Sequence, residues 1–283
     1  MIDNTKFAIG DITICVEENL QRYALEIPAT YRSFIEDGKT DITLQMHDEI
    51  FAPTVGKKIF ESPPIWSLYR HNGTSALRIY EHIPGFGRTL VLPQIIKSAD
   101  LCFDDPTGNY NHPFYGPTIE LLMVNYLAQG KGVIIHGCGI KQDDHGVIFV
   151  GESGAGKTTM ANIWSQNSDV EILSDDRTIV RKQGDHFMMY GTPWHGEGKF
   201  GSPGSARLEQ IFFIQHGQTN SISKSAKAQS VTQFLKCSFP PFWDAEGLEY
   251  SMDVFSDLAM AVPCRTLTFK ADSSIIGFVE GLL

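Results

Sequence analysis

The densest chemistry in the chain lies in Gly151-Glu152-Ser153-Gly154-Ala155-Gly156-Lys157-Thr158-Thr159. Gly151, Gly156, Lys157 and Thr158 occupy the defined positions of the pattern G-x-x-x-x-G-K-[ST]. Each residue type has a physical task there. The glycines let the backbone turn so that several N–H groups face one anion. Lys157 supplies a flexible point charge for the outer phosphates. The Thr158 hydroxyl is a ligand for a Mg²⁺ that bridges phosphate oxygens. The whole run from Gly151 to Thr159, Ser153 and Ala155 included, is therefore expected to cradle the phosphates of ATP.

The motif needs a strand before it and a helix after it. Val147-Ile148-Phe149-Val150 is an apolar, β-prone run that enters the loop, and Thr158 to Gln166 reads as a helix whose positive end faces the same phosphates. Before that strand, Gly132 to Ile140 is another apolar β run, and Gln142 to Gly146 is a turn containing Asp143-Asp144. A hairpin feeding the loop is foreign to common parallel P-loop sheets, where a crossover helix precedes each strand. A mixed, antiparallel-rich sheet is expected.

Asp175-Asp176, at the end of the strand Val170 to Leu173, is the second feature. Phosphoryl transfer needs one carboxylate for the metal and, for an alcohol acceptor, one for its proton. Neighbours on an extended chain face opposite ways, so the pair can divide these tasks, or only one faces the site. His136, in Ile134-Ile135-His136-Gly137, reads alone as a core or surface histidine. Glu197 is a candidate metal ligand in the Gly- and Pro-rich stretch 191–204, expected to be a mobile loop. In the same stretch Trp194 is either an anchor or a stacking platform, while Lys199 and Arg177 either neutralise phosphate charge or sit solvated on the surface.

Elsewhere the elements are plainer. The first hundred residues read as strands at Phe7–Glu17, Asp41–His47, Ile65–Arg70, Ser75–His82 and Arg88–Leu92. Turns are expected at His71-Asn72-Gly73 and at Ile83–Gly87. A boundary at Asp104-Asp105-Pro106-Thr107-Gly108 divides a β-rich domain, 1–105, from a catalytic one, 106–283. Pro117–Gln129 reads as a helix. Beyond the loop helix a hairpin is expected across Gln183-Gly184-Asp185, then strands at Leu208–His216 and Arg265–Ala271. Helices are expected at Ser225–Leu235, Phe239–Glu246 and part of Tyr250–Ala261.

Composition bounds the function. The chain has 283 residues, 42% of them hydrophobic, with a mean hydropathy of −0.12, as ordinary globular proteins do. A net charge of −10 and a pI near 5.3 exclude a basic nucleic-acid surface. No run of apolar residues is long enough for a membrane span. Cys15, Cys102, Cys138, Cys237 and Cys264 form no C-x-x-C pair, so reduced thiols and a cytoplasmic location are expected. The N-terminal segment, with Asp3, Lys6 and Asp11, lacks the apolar core of a secretory signal. Homo-oligomerisation is left open.

His136-Gly137, a hairpin, Gly151–Thr158 and then Ser174-Asp175-Asp176-Arg177 together resemble the catalytic domain of the HPr kinase/phosphorylase family, over roughly residues 115–270. That family has a valine-histidine-glycine segment, a hairpin, the phosphate loop and an alanine-aspartate-aspartate segment in this order. It shares its fold with ATP-dependent phosphoenolpyruvate carboxykinase. The resemblance implies an α/β fold, a carboxykinase-like P-loop kinase core beside the β-rich N-terminal domain. It implies ATP and Mg²⁺, Asp175 as the base for a serine hydroxyl, Asp176 and Thr158 near the metal, and His136 close to the base. Where the bifunctional family carries leucine-glutamate-isoleucine-arginine-glycine-leucine-glycine, this chain has Tyr190 to Gly198. In that respect it is more similar to divergent relatives in peptide-biosynthesis clusters, including those that phosphorylate the C-terminal serine of lasso precursor peptides. The expected acceptor is a serine of a peptide or small protein. Alternatives are a metabolite alcohol or free serine, or an ATP-binding regulator that transfers nothing. A carboxykinase fits less well, because the chain is short for that family.

Overall fold

A computed structural model of the protein describes residues 3–19, 27–47, 56–80, 87–103 and 114–282. The chain divides into two compact units, Met1–Tyr126 and Leu127–Leu283, each with an eight-stranded mixed sheet. The fold is mixed α/β with few helices.

The first unit contains β1 (Asp3–Ala8), β2 (Thr13–Asn19), a one-turn helix α1 (Ala29–Arg32), β3 (Ile42–His47), β4 (Lys57–Ser62), β5 (Trp66–His71), β6 (Thr74–Tyr80), β7 (Gly87–Leu92), β8 (Ser98–Phe103) and most of α2 (Thr118–Leu127). Its sheet runs β1-β2-β3-β8-β7-β6-β5-β4. The β2–β3 and β3–β8 pairs are parallel and the others antiparallel. Ile42, Leu44 and Met46 are buried and alternate with Thr43, Gln45 and His47, the period-two pattern expected of β3. The β5–β6 hairpin turns at Asn72-Gly73, both at positive φ, as expected.

Two expectations change here. Phe7–Glu17 is two antiparallel strands, because Gly10 (φ 65°) and Asp11 (φ 58°) fold the chain back. The first unit also runs past the expected 105/106 boundary. Phe114 packs 4.5 Å from the rings of both Phe7 and Tyr31, and Arg88 donates to the Tyr115 carbonyl, so the segment before α2 belongs to this unit. The Asp104–Gly108 loop lies outside the described residues, as does the turn at Ile83–Gly87 apart from Gly87.

The second unit contains β9 (Val133–Gln142), β10 (His145–Val150), α3 (Lys157–Asn167), β11 (Glu171–Ser174), β12 (Arg177–Gln183), β13 (His186–Tyr190), β14 (Ser205–His216), β15 (Ser221–Lys224), α4 (Lys227–Lys236), α5 (Ala245–Ala261), β16 (Cys264–Phe269) and α6 (Ser274–Glu280). The expected hairpin before the loop is present as β9–β10, antiparallel from His145 opposite Gln142 to Val150 opposite Gly137. On its other edge β10 pairs in parallel with β14.

Buried strands need covering on both faces, and the side chains of β10 alternate accordingly. Ile148 and Val150 join Val133, Ile135, Phe234 and Phe255 in one core. Val147 and Phe149 join Met160, Trp164, Phe269 and Ile275 in the other. Each large side chain so buried contributes about 1.5–3 kcal/mol. Helices α4 and α5 therefore serve one face, and α3 and α6 the other. The helix expected at Phe239–Glu246 begins only at Ala245, since Pro240 and Pro241 cannot lie inside a helix. Among the described residues no helix is long and apolar enough to cross a membrane.

Candidate functional site

β10 delivers the chain to Gly151, and α3 carries it away from Gly156. At Gly156 φ is 101°, and a Cβ would lie 2.6 Å from Phe269 Cζ and 2.8 Å from His216 Cε1, so only glycine fits. Gly156 caps α3, placing Lys157 and Thr158 at the positive end of the helix. Lys157 is 6% exposed and arches over the loop, its Nζ donating to the carbonyls of Gly151 (2.8 Å) and Glu152 (3.0 Å). Burial pulls its ammonium below the usual lysine range, against the opposing charges of Asp176 and Asp175.

Asp175 and Asp176 lie between β11 and β12, which both run antiparallel to β9, with Ser174 opposite Gly139 and Arg177 opposite His136. Ser174 shapes the bend between them. Its Oγ accepts from the N–H groups of Asp176 (3.2 Å) and Arg177 (3.0 Å) and donates to the Trp194 carbonyl (3.0 Å).

The two carboxylates diverge. Asp175 is 1% exposed and faces the phosphate loop, where its Oδ2 accepts from Thr158 Oγ1 at 3.3 Å. Its Oδ1 and Oδ2 also accept, each at 2.8 Å, from the N–H groups of Gly196 and Gly198. Asp176 accepts from His136 Nε2 at 2.9 Å and from the Arg177 guanidinium. Burial pushes the Asp176 carboxyl up, but the His136 hydrogen bond and the Arg177, His136 and Lys157 charges outweigh it and leave it below the ordinary value of 3.8.

A folded-state value below the unfolded one means that ionised Asp176 stabilises the protein above about pH 4, and that this stabilisation is lost as pH falls through the folded value. Asp176→Asn is accordingly expected to melt less steeply with acidification below pH 4 than the parent chain does. Thermal melts from pH 5 to pH 2.5 read this directly; parallel curves would show that Asp176 is not the group involved.

The 191–204 segment is stitched to this centre. Gly191 N–H donates to Gly204 O (2.9 Å) and Ser202 N–H to Leu173 O (3.0 Å), and Ser174 bridges to Gly201. Trp194 is buried, 8% exposed, and so anchors the loop. Glu197 and Lys199 are exposed, Glu197 sitting on the turn between the two glycines that bind Asp175. A Cβ on Gly198 would lie 2.7 Å from Asp175 Oδ2 and 2.9 Å from the Phe200 ring. Gly198→Ala is expected to cost about 1–3 kcal/mol by overpacking. Gly277→Ala, in α6 with open space at the Cβ, should be neutral or stabilising. Thermal unfolding of the two variants side by side checks the contrast.

The structure thus brings Lys157, Thr158, Asp175, Asp176 and His136 into one connected set. The sequence did not disclose Gly196, Gly198, Ser174 or Phe239. The segment 237–239 runs beside β9, with His136 N–H donating to Cys237 O (2.9 Å) and Phe239 N–H to Ile134 O (3.1 Å). This puts the Phe239 ring 4.9 Å from the Arg177 guanidinium and 5.9 Å from the His136 ring. The G-x-G spacing of 196 and 198 was a visible signal; Phe239 carried none.

Among the described residues no three His, Cys, Asp or Glu side chains converge on a cation position. The donors present, a threonine hydroxyl beside a carboxylate, are hard oxygen ligands suited to Mg²⁺ that takes its other ligands from phosphates and water. Chemically, the set offers an anion cradle with a lysine, a hydroxyl–carboxylate pair at its mouth and a second carboxylate held by a histidine. Comparison with protein-family models found no match, and comparison with curated proteins found no significant one.

Proposed function

We propose that the protein is a Mg²⁺- and ATP-dependent kinase that transfers the γ-phosphoryl group to a hydroxyl, a serine of a peptide or small protein. The reading rests on one observation above the rest: the phosphate-loop threonine is hydrogen-bonded to one of two adjacent carboxylates while the other is held apart by a histidine. A pure nucleotide binder needs the first arrangement and not the second.

In this account the amides of Gly151 to Thr159 and the Lys157 ammonium hold the β- and γ-phosphates. Thr158 and Asp175 would hold Mg²⁺, which would offset negative charge on the phosphates. The Thr158–Asp175 pair supports giving the metal to Asp175, the reverse of the family-based expectation. Asp176 then receives the proton of the attacking hydroxyl, and His136 orients its carboxylate. The acceptor oxygen forms the new P–O bond as the bond from the γ-phosphorus to the bridging oxygen breaks, leaving ADP. Arg177, braced against Phe239, balances charge beside Asp176. Glu197 is exposed close to Asp175 and is available as a further oxygen ligand. A cytoplasmic location and the role of the N-terminal sheet in acceptor recognition belong to the same proposal.

The test is γ-labelled ATP with Mg²⁺, offered a serine-containing peptide library together with free serine and other small alcohols. Label in the peptide fraction supports the proposal. Label only in the low-mass fraction makes the protein a metabolite kinase, and tight ATP binding with no labelled acceptor makes it a regulator.

A further inference from the structure

A cavity of about 240 Å³ adjoins the phosphate loop within the second unit. The loop contributes Gly151, Glu152 and Ala155 to its lining, β14 contributes Phe213, and α4 contributes Gln229 and Gln233. Ser230 and Phe234 turn the buried side of α4 to the core, and Gln229 and Gln233 form the neighbouring stripe, four residues apart on one flank of the helix. Gln229 is exposed and Gln233 half-buried. Among the described residues neither carboxamide has a hydrogen-bond partner, so both are free to pair with a guest. The lining holds the Glu152 carboxylate and, among the described residues, no Lys, Arg or His side chain, so it suits a neutral hydrogen-bonding group and not a second anion.

The direction of α4 relates this cavity to the transfer centre. The C-terminal end of the helix is tied to that centre, where the Cys237 carbonyl accepts from His136 N–H at 2.9 Å. The same end lies beside the loop: burial and the Glu152 carboxylate push the Cys237 thiol up, and the Lys157 ammonium opposes them. Gln233 and Gln229 come four and eight residues before Cys237, about 6 Å and 12 Å back along the helix axis.

We propose that this cavity is the nucleobase subsite of the triphosphate site, and that Gln229 and Gln233 read the edge of an adenine. With the γ-phosphate at the His136 end and the other phosphates on the loop, the nucleoside is carried back along α4 towards the two glutamines. A carboxamide sets a donor beside an acceptor, the complement of the adenine 6-amino group and the adjacent ring nitrogen. Phe213 supplies apolar surface, and Glu152 is an acceptor for a ribose hydroxyl. The inference deepens the proposed function and rests on its triphosphate site, but not on phosphoryl transfer.

Calorimetric titration of the whole chain, in Mg²⁺, with ATP, purine riboside triphosphate (ATP without its 6-amino group) and inorganic tripolyphosphate tests it. The parent chain is expected to bind ATP severalfold tighter than purine riboside triphosphate. The double variant Gln229→Ala/Gln233→Ala, altered at unburied positions, should bind ATP about tenfold to a hundredfold more weakly, lose its preference between the two nucleotides, and hold tripolyphosphate within twofold of the parent. Equal losses for ATP and tripolyphosphate, or an undiminished preference for ATP, would overturn the subsite and leave the phosphate loop standing. Unchanged ATP binding with a raised KM for a serine peptide would overturn it by giving the cavity to the acceptor. A parent chain that binds neither tripolyphosphate nor ATP would overturn the triphosphate site itself, and the subsite with it.

Discussion

Lys157→Ala is expected to weaken triphosphate binding and lower phosphoryl transfer by a factor of about 10² to 10⁴, the usual effect of removing one positioned charge from a transition state rich in negative charge. The side chain is buried and poised over the loop by two of the loop's own carbonyls, so its ammonium is already oriented. Burial also lowers its pKa, which makes an anionic partner more valuable than at an exposed lysine. Titration with a fluorescent ATP analogue and a labelled-transfer assay measure the two effects. A variant that binds and transfers as the parent does would remove the phosphate loop from the account.

The second large effect separates the carboxylates. Asp176→Asn is expected to lower kcat by about 10² to 10⁴ while ATP affinity stays within a few-fold, because a proton acceptor acts only in the chemical step. Asp175→Asn should behave differently. Its oxygens accept from two backbone N–H groups and from Thr158, so an amide there sets a donor against donors. That variant is expected to lose thermal stability and Mg²⁺-dependent ATP binding together. Stability, ATP affinity with and without Mg²⁺, and single-turnover rates of the two proteins give the comparison. If Asp175→Asn kept Mg²⁺-dependent binding and lost only turnover, while Asp176→Asn turned over normally, the two roles would be exchanged.

The parts of this site that the sequence made legible are those built from near neighbours. A turn with Asp143 at φ 54°, the apolar run of β10 and a glycine at φ 101° ahead of a helix are local choices, and each was written in a few adjacent residues. The family resemblance placed His136 close to a base taken as Asp175, whereas the structure bonds it to Asp176. What stayed hidden depends on long-range closure. Gly196 and Gly198 meet Asp175 across twenty-one and twenty-three residues of chain, and Phe239 arrives because 237–239 lies along β9. No periodicity encodes such meetings. Smaller differences have local causes: Gly10-Asp11 turns the chain inside a run with strand character, and Pro240-Pro241 delays the helix expected from Phe239. The Thr158 hydrogen bond that assigns a partner to Asp175 could not be foreseen, because adjacent aspartates are equivalent until the fold gives each a side.

On the proposed function, a hydroxyl receives the γ-phosphoryl group at this site. ³¹P NMR of a reaction containing the protein, Mg²⁺, ATP and a serine peptide found by library labelling tests it most directly. A phosphoserine monoester resonance is expected to grow in step with ADP, to be absent with Lys157→Ala and to be strongly slowed with Asp176→Asn. ADP and inorganic phosphate without any phosphate ester, at equal rates in the parent chain and in Asp176→Asn, would contradict it.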